Sequence, residues 1–382
     1  MRSRHPGTAL ATVLAAALLA VTACGTAEQD EQPAEPREPQ AEQQVEQPAE
    51  AALAADWLTA QLSDGLVRNE QYDFDDHGLS IDVALALRAQ GGHEAVVQEV
   101  AGALEGAVEE YTTGGTEGLY SGAVAKLASF AVQVGDDPTS FGGTDLVERL
   151  EGLVSTRPVS AGRLQDSAPG TDVANTIGQA FGAHALEAAG SPAAAPVTAY
   201  LLDQQCAGGW FRLLLTEDPT ARDQSCDAGD LEGRSAPDTD ATALVVLALL
   251  EVDDPSVEVT EALQRAQAWL GEQQAADGSL VAEPGAPDPV PSSNSTGLAG
   301  WVLGRLGACD EAAAAAQWLA AVQVPEGERA AGAVAYSLEA FESLPASGRI
   351  VVPERDQWRR ATAQAAPALQ HLQPERCGSA SP

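Results

Sequence analysis

Basic side chains are scarce in this sequence of 382 residues. Lysine and arginine together number 20, against 56 aspartates and glutamates, so the formal net charge is −36. Lysine occurs once, at Lys126. A chain with this excess of negative charge is repelled by the phosphate backbones of nucleic acids. Nucleic-acid binding is therefore excluded as a function.

Aromatic residues are also few, at 4% of the chain, whereas apolar residues make up 45%. The interior must then be built mainly from alanine and leucine, which favour tightly packed helices. The composition predicts an all-α protein with a large apolar core.

The first residues have the layout of a secretory signal. Arg2 and Arg4 precede an apolar run over residues 9–20, and small residues come directly before Cys24. The run is shorter than the about 20 residues that a bilayer span requires. This layout resembles the lipobox of bacterial lipoproteins. The resemblance implies a diacylated Cys24 that anchors the protein at the extracytoplasmic face of the cell membrane. The alternative is a secreted protein with a chance cysteine at the cleavage site.

A polar tether over residues 24–50 follows the predicted signal peptide of residues 1–23. Between residues 25 and 50, eight acidic side chains are opposed only by Arg37. Proline and like-charge repulsion keep such a segment extended, and its low apolar content prevents folding. We expect it to act as a spacer between the membrane and a globular domain.

Four cysteines remain once Cys24 is assigned to lipid. An even number in an exported chain suggests two disulfides, which three connectivities satisfy. We favour Cys206 with Cys226 and Cys309 with Cys377. The cysteines lack the close paired spacing of a zinc site and the histidines are scattered. We therefore expect no metal and no cofactor.

The rest of the chain repeats one unit at a spacing of about 45–60 residues. In the clearest copies, a helix ends at glutamine, and a glycine turn and an apolar residue follow. These copies are residues 57–66, 200–211 and 269–280. Strongly apolar second helices are predicted over residues 79–89, 174–188, 239–250 and 296–306. An amphipathic outer helix paired with a buried inner helix describes a double ring.

Weaker copies complete the count. They pair residues 95–111 with 118–132, 146–154 with 174–188, and 312–322 with 331–341. The fold predicted is an (α/α)6 barrel of six helical hairpins over residues 51–375, followed by a C-terminal tail over residues 376–382. A final helix over residues 356–372 is expected to pack across the closure.

The glutamine, glycine-turn and Asp-Thr-Ala pattern resembles the prenyltransferase and squalene-cyclase repeat superfamily of α/α toroids. The stretch that carries the resemblance is Asp238-Thr239-Asp240-Ala241-Thr242-Ala243. Class II cyclases have Asp-x-Asp-Asp-Thr-Ala, in which the middle aspartate protonates the substrate. That acid is present here as Asp240, but Ala241 replaces the aspartate after it, which weakens the proton-donor interpretation.

Other branches of the superfamily match less well. The zinc set of protein prenyltransferases and the Cys-Gly-Glu-Gln of thioester domains are missing, and no residues remain for the β domain of cobalamin carriers. The acidic segment at residues 73–78 begins like a calcium loop but has Ala84 at its twelfth position, where glutamate is required.

Polar residues at the starts of the inner helices are expected to gather around one opening. The predicted ligand-binding residues are Asp76, Asp82, Tyr120, Asp172, Asn175, Trp210, Asp240, Asn294 and Trp301, with Asp238, Asp240 and Asp82 as the alternative catalytic set. For the acids and amides the competing interpretation is helix capping, and for the tryptophans it is packing between helices. Long insertions at residues 213–237 and 282–293 are expected to lie over the opening.

Two hypotheses follow. The first is a non-catalytic lipoprotein whose toroid binds an apolar small molecule or a cell-surface protein. The second is an enzyme of the terpenoid-cyclase type, or an (α/α)6 carbohydrate-active enzyme that uses Asp240 and other mouth carboxylates.

Overall fold

Helices carry almost all of the regular structure in the computed structural model, which describes residues 47–229 and 233–378. The predicted signal peptide, Cys24 and most of the tether lie outside these residues. The first helix begins at Ala49, two residues before the predicted start of the domain. Within 47–229 and 233–378, no helix combines the length and apolar character needed to cross a membrane.

Twelve of the helices form six outer and inner pairs, as the sequence predicts. With the outer helix first, the pairs are α1 (Ala49–Thr59) with α2 (His77–Gln90), α3 (Glu94–Glu105) with α5 (Ser121–Gln133), α6 (Leu146–Leu153) with α7 (Thr176–Ala188), α8 (Ala194–Leu202) with α9 (Thr239–Leu249), α10 (Val257–Gln273) with α11 (Ser293–Arg305), and α12 (Cys309–Ala321) with α14 (Val352–Ala365). The inner helices touch in the order α2, α5, α7, α9, α11, α14 and back to α2. The chain therefore closes a ring.

Shorter elements lie between the pairs. Strands β1 (Leu62–Ser63), β2 (Leu66–Asn69) and β3 (Phe74–Asp75) form a small antiparallel sheet before α2. Helix α4 (Val108–Thr113) follows α3 after a break at Gly106, so the single helix predicted over residues 95–111 is divided. Helix α13 (Leu338–Glu342) lies in the connection before α14.

The prediction for the sixth inner helix is wrong. Residues 331–337 are not helical, and the helix that completes the ring is α14, which overlaps the segment predicted to cap the closure. Gly332 has a φ of 90°, and a Cβ there would lie 2.0 Å from the carbonyl oxygen of Leu53. This left-handed turn packs against α1 and cannot continue as a helix. The C-terminal part of the predicted capping helix is instead the 3-10 turn Ala368–Leu372.

One hydrogen-bond pattern recurs where neighbouring pairs meet. The side-chain amide of Gln205 donates to the carbonyl oxygens of Gly209 (2.8 Å) and of Ala262 on the next outer helix (2.9 Å). Gln323 repeats this pattern with Gly332 (3.1 Å) and Glu50 (2.9 Å). Because Glu50 lies on α1, the bonds of Gln323 join the last pair to the first.

A second pattern ties each glycine turn to its inner helix. The hydroxyl of Thr242 accepts a hydrogen bond from the backbone N–H of Phe211, two residues after Gly209 (2.9 Å). Thr362 accepts in the same way from Val334, two residues after Gly332 (2.9 Å). The stretch Ala361-Thr362-Ala363 within α14 thus corresponds to Ala241-Thr242-Ala243 in the first turn of α9.

Both predicted disulfides are present in the fold. Cys206 and Cys226 are bonded with their Cα atoms 4.9 Å apart, and they close the loop that leads to α9. Cys309 and Cys377 are bonded with their Cα atoms 5.6 Å apart, and they attach the C-terminal segment to the start of α12.

Replacing Gln323 with alanine is expected to lower the free energy of unfolding by about 1–3 kcal/mol, because two buried carbonyl oxygens lose their donor. Urea denaturation followed by circular dichroism measures this change. The control is Gln317→Ala, at an exposed position of α12, which is expected to change stability by less than about 0.5 kcal/mol. Equal effects of the two substitutions would show that Gln323 has no special role in closure.

Candidate functional site

The inner helices all begin at one end of the ring, which we call the mouth. The first residues of α7, α9 and α11 each donate a backbone hydrogen bond to the connection that leads to the next inner helix, with donor to acceptor distances of 2.8–3.0 Å. Ser121 at the start of α5 donates to Asp166 in the same manner, and Arg360 of α14 forms an ion pair with Asp76 at the start of α2. Polar contacts therefore join five of the six neighbouring pairs at the mouth.

Below the mouth lies a lumen with a cavity of about 60 Å³. Its apolar lining comes mostly from α7, α9 and α11, with Leu85 and Ala86 added by α2 and Ala363 by α14. The large side chains from α7, α9 and α11 are Phe181, Leu244, Leu247, Leu298 and Trp301. Asp82, Arg88, Gln133, Glu251 and Gln364 complete the lining with polar groups. The lumen thus combines a largely apolar lining with a few polar groups.

Asp82 faces this lumen in an ion pair with Lys126 (Oδ1 to Nζ, 2.6 Å). The ammonium group also donates to the carbonyl oxygen of Gly78 (3.0 Å). Burial by itself would lower the pKa of Lys126, but the charge and hydrogen bond of Asp82 outweigh burial, and the pKa lies above its ordinary value. Asp82 therefore has a structural partner inside the ring, and Lys126 stays charged.

A second ionic cluster lies at the opposite end of the inner helices. Glu251, which follows α9, pairs with Arg305 (3.0 Å) and Arg88 (3.5 Å). These two arginines end α11 and α2, where cations also interact favourably with the helix dipole. This cluster borders the lumen on the side away from the mouth.

Asp240 differs from the other acids of the mouth. It lies in the first turn of α9, four residues before Leu244, so it projects from the lumen face one turn nearer the mouth. Its Oδ1 atom is buried without a hydrogen-bond partner. Burial raises the pKa of Asp240 to about 6, although a hydrogen bond with Ser295 acts in the opposite direction. This carboxyl group takes up a proton far more readily than an exposed one.

Several predicted site residues serve the fold, as the capping interpretation holds. Asp76, Asn175 and Asp238 are N-caps, and their side chains accept from Leu79 (2.9 Å), Gly178 (2.9 Å) and Ala241 (2.7 Å). Asp172 pairs with Arg163 at 3.0 Å. Burial also raises the pKa of Asp238.

The three aromatic residues predicted to bind a ligand have different surroundings. The Trp210 ring packs against Trp269 at a centroid distance of 6.0 Å, and its Nε1 donates to the carbonyl oxygen of Ser235 (3.3 Å). This contact with an outer helix agrees with the packing interpretation. Tyr120 precedes α5 without a capping bond from its side chain. Of these three predicted residues, Trp301 is the one that lines the lumen cavity.

Asn294 occupies the position of α11 that corresponds to Asp240 on α9. Its Oδ1 atom is likewise buried without a partner, and its side chain borders an open pocket at the rim. The structure therefore brings Asp240 and Asn294 to neighbouring places on the mouth.

Sequence reasoning missed the basic members of the site. Lys126, Arg88, Arg305 and Arg360 all form ion pairs in or beside the lumen. Lys126 had a visible signal, because it is the single lysine of the chain and lies within an apolar helix. The partners of Arg88 and Arg305 are distant in sequence, and so is Asp76, which Arg360 contacts in addition to its neighbour Asp356.

The connections around the mouth expose most of the large apolar side chains that reach solvent. Those that precede an inner helix are Tyr72, Phe74, Val159, Val173, Leu214, Val290, Leu338 and Val351. Exposed apolar side chains that gather on one face are typical of recognition surfaces. The predicted insertions contribute Leu214 and Val290.

No group of histidine, cysteine, aspartate and glutamate side chains in residues 47–229 and 233–378 is arranged to hold a metal ion. The acidic segment of residues 73–78 is used by ion pairs, since Arg68 contacts both Asp73 (2.5 Å) and Asp75 (3.1 Å).

Solved structures of known proteins share this architecture. The type II terpene cyclase MstE from Scytonema is 15% identical, with a TM-score of 0.56, over 84% of this chain and 96% of the cyclase. The fold is the α/α toroid. A protein from Actinoplanes is 18% identical, with a TM-score of 0.55, over 84% of this chain and 98% of that one.

An unsaturated glucuronyl hydrolase specific for heparin is 10% identical to this toroid, with a TM-score of 0.59, over 84% of this chain and 94% of the hydrolase. At these identities the likeness concerns the fold alone. No family model and no curated protein matches the sequence.

The raised pKa of Asp240 generates a pH prediction. Because the folded state binds this proton more tightly than the unfolded state, Asp240 stabilises the fold below its unfolded pKa, and this contribution is lost as the pH rises through about 6. Asp240→Asn is therefore expected to raise the free energy of unfolding at pH 7 relative to the unsubstituted protein. The substitution should also reduce the pH dependence of the free energy of unfolding between pH 4 and 6, by up to about 1.4 kcal/mol per pH unit.

Urea unfolding at a series of pH values measures both effects. The control is Asn294→Ala, at the corresponding position of the next inner helix. It removes no titratable group and should leave the pH dependence of the free energy of unfolding unchanged. If the free energy of unfolding of Asp240→Asn depends on pH as it does in the unsubstituted protein, the raised pKa of Asp240 is contradicted.

Proposed function

We propose that this protein is a binding module whose lumen holds a small, largely apolar ligand. The observation that carries the proposal is the lumen cavity, in which a largely apolar wall from three consecutive inner helices faces a few charged groups, Asp82, Arg88 and Glu251, each held in an ion pair. Small-molecule sites are typically concave and apolar with a few fixed polar groups. The ion pair of Asp82 with Lys126 would orient the polar end of such a ligand.

The size of the cavity limits the ligand. A single water molecule needs about 10–15 Å³ of such space, so about 60 Å³ accepts a compact molecule. MstE has been solved with geranylgeranyl dihydroxybenzoate as its substrate. A chain of that length exceeds the lumen of this protein, which favours binding of a smaller molecule over cyclisation of a long isoprenoid.

A second candidate function is acid–base catalysis at Asp240. It is supported by the buried, unpaired Oδ1 atom and by the pKa of about 6, because a general acid works best when its pKa is near the ambient pH. Terpene cyclisation and glycoside hydrolysis are the reactions that the fold relatives suggest. The substitution of Ala241 for a second aspartate argues against the first of these.

We further propose that the module is anchored to the outer face of the cell membrane through a diacylated Cys24. The proposal rests on the charged start, the apolar run and the small residues before Cys24. A partner protein on the same surface is an additional ligand class, and the exposed apolar side chains around the mouth support it.

Cys24→Ser is expected to move the protein from the membrane fraction to the culture medium, because the thiol that would carry the acyl chains is gone. Fractionation with immunoblotting measures this distribution. Cys309→Ser breaks the disulfide with Cys377 but leaves Cys24 in place, and it is the control. Membrane retention of Cys24→Ser would contradict the anchor.

Native mass spectrometry of the mature chain purified from its host tests the lumen. We expect a retained small-molecule mass in the unsubstituted protein and its loss in Leu298→Trp, because the larger ring fills the cavity at a cost of about 1–3 kcal/mol in overpacking. Val257→Trp, at a side chain that is 69% exposed on an outer helix, is the control.

Three outcomes distinguish the candidates. Absence of any retained mass, or retention by Leu298→Trp, contradicts lumen binding. Conversion of geranylgeranyl dihydroxybenzoate or of a glycoside that is lost in Asp240→Asn supports the enzyme. Loss of the retained mass in Leu298→Trp, without any conversion, supports the binding module.

A further inference from the structure

A separate pocket of about 480 Å³ opens at the rim of the mouth. It lies between the small sheet before α2 and the first turns of α11 and α14. Its lining consists of Asn69, Gln71, Tyr72, Asn294, Tyr336, Pro353, Asp356, Gln357 and Arg360. This set shares no residue with the lining of the lumen cavity.

The pocket holds hydrogen-bonding capacity that the protein itself does not use. The Oδ1 atoms of Asn294 and Asp356 are both buried and have no partner. A buried acceptor without a donor costs about 1–3 kcal/mol. Two such atoms at one pocket indicate a ligand that brings hydrogen-bond donors.

The polar side chains of the pocket are held in place before any ligand arrives. Asn69 accepts from the backbone N–H groups of Gln71 (3.2 Å) and Tyr72 (3.1 Å), which fixes the turn that carries both residues. Arg360 donates to Asp356 (3.0 Å) and also pairs with Asp76. Such bracing reduces the entropy cost of binding.

The charge of the pocket distinguishes it from the rest of the protein. Asp356 and Arg360 are its charged members, and they compensate each other, although the chain as a whole has a net charge of −36. The remaining polar members are three amides besides Asn294 and two tyrosines. A pocket without net charge in so acidic a protein selects a neutral ligand.

Two aromatic rings accompany these amides. Tyr72 is 70% exposed, and Tyr336 borders the pocket from the connection before α14. An exposed ring presents an apolar face beside polar groups, a combination that suits a ligand with C–H faces and hydroxyl edges. Amides supply both donors and acceptors to hydroxyl groups.

We propose that this rim pocket binds a neutral saccharide, with its hydroxyls donating to Asn294 and Asp356 and a sugar face against Tyr72. Binding here needs no catalysis and no occupant of the lumen. The proposal therefore stands or falls separately from the lumen ligand.

Saturation-transfer NMR on the full-length protein tests it. The probes are cellobiose, maltose, mannobiose and chitobiose, each at millimolar concentration. We expect transfer to at least one of them. Tyr72→Ala and Asn294→Ala should each weaken binding of that sugar by about tenfold or more, since tenfold corresponds to about 1.4 kcal/mol.

The matched control is Phe74→Ala, which removes another exposed ring of the same small sheet outside the pocket. It should leave sugar binding unchanged. Thermal unfolding of every variant separates lost binding from lost folding. Absence of transfer to all four sugars, or equal transfer in Tyr72→Ala, Asn294→Ala and the unsubstituted protein, overturns the proposal.

Discussion

Closure of the ring depends on side-chain amides that reach, at three of its junctions, from a glycine turn to the next outer helix. Gln205 and Gln323 donate to two carbonyl oxygens at once, one in their own turn and one across the junction. Gln274 does the same with Gly278 and Glu311. Since each amide satisfies buried backbone acceptors of two pairs, the register of one pair determines the next. The bond of Gln323 to Glu50 brings this chain of contacts back to its beginning.

The ring in turn explains why charged groups are found in its interior. Alanine-rich inner helices pack closely and leave a narrow lumen, in which an isolated charge would be costly. Each charge there has a partner from another helix, as in Asp82 with Lys126 and Glu251 with Arg305. Asp240 is the exception, and it meets the same cost by holding its proton more tightly. A site with one uncompensated acid and one apolar wall follows from these constraints.

The strongly patterned parts of the site and fold were predictable. Residues 239–250 are apolar nearly all round, and the structure buries them as α9. The sixth inner helix was not predicted, because α14 carries charged side chains that normally indicate a surface helix. Arg359 is 4% exposed, and its contacts with Glu70, with the carbonyl oxygen of Arg68 and with Gln61 permit that burial. Those partners lie nearly three hundred residues away along the chain, beyond any local pattern.

By itself, the sequence determined the helical class and the six-fold repeat, favoured one pairing of the four toroid cysteines, and offered helix capping as one of two roles for the acids of the mouth. These features depend on local periodicity, on turn chemistry and on counting, which are all visible along the chain. Only the tertiary structure decided which polar groups meet across the ring. It left Oδ1 of Asp240 and of Asn294 unpaired, paired Asp82 with Lys126, and brought Tyr72 and Asn294 to the lining of one pocket. Burial and pairing are properties of three-dimensional neighbours, so the chemistry of the mouth emerges only when the ring closes.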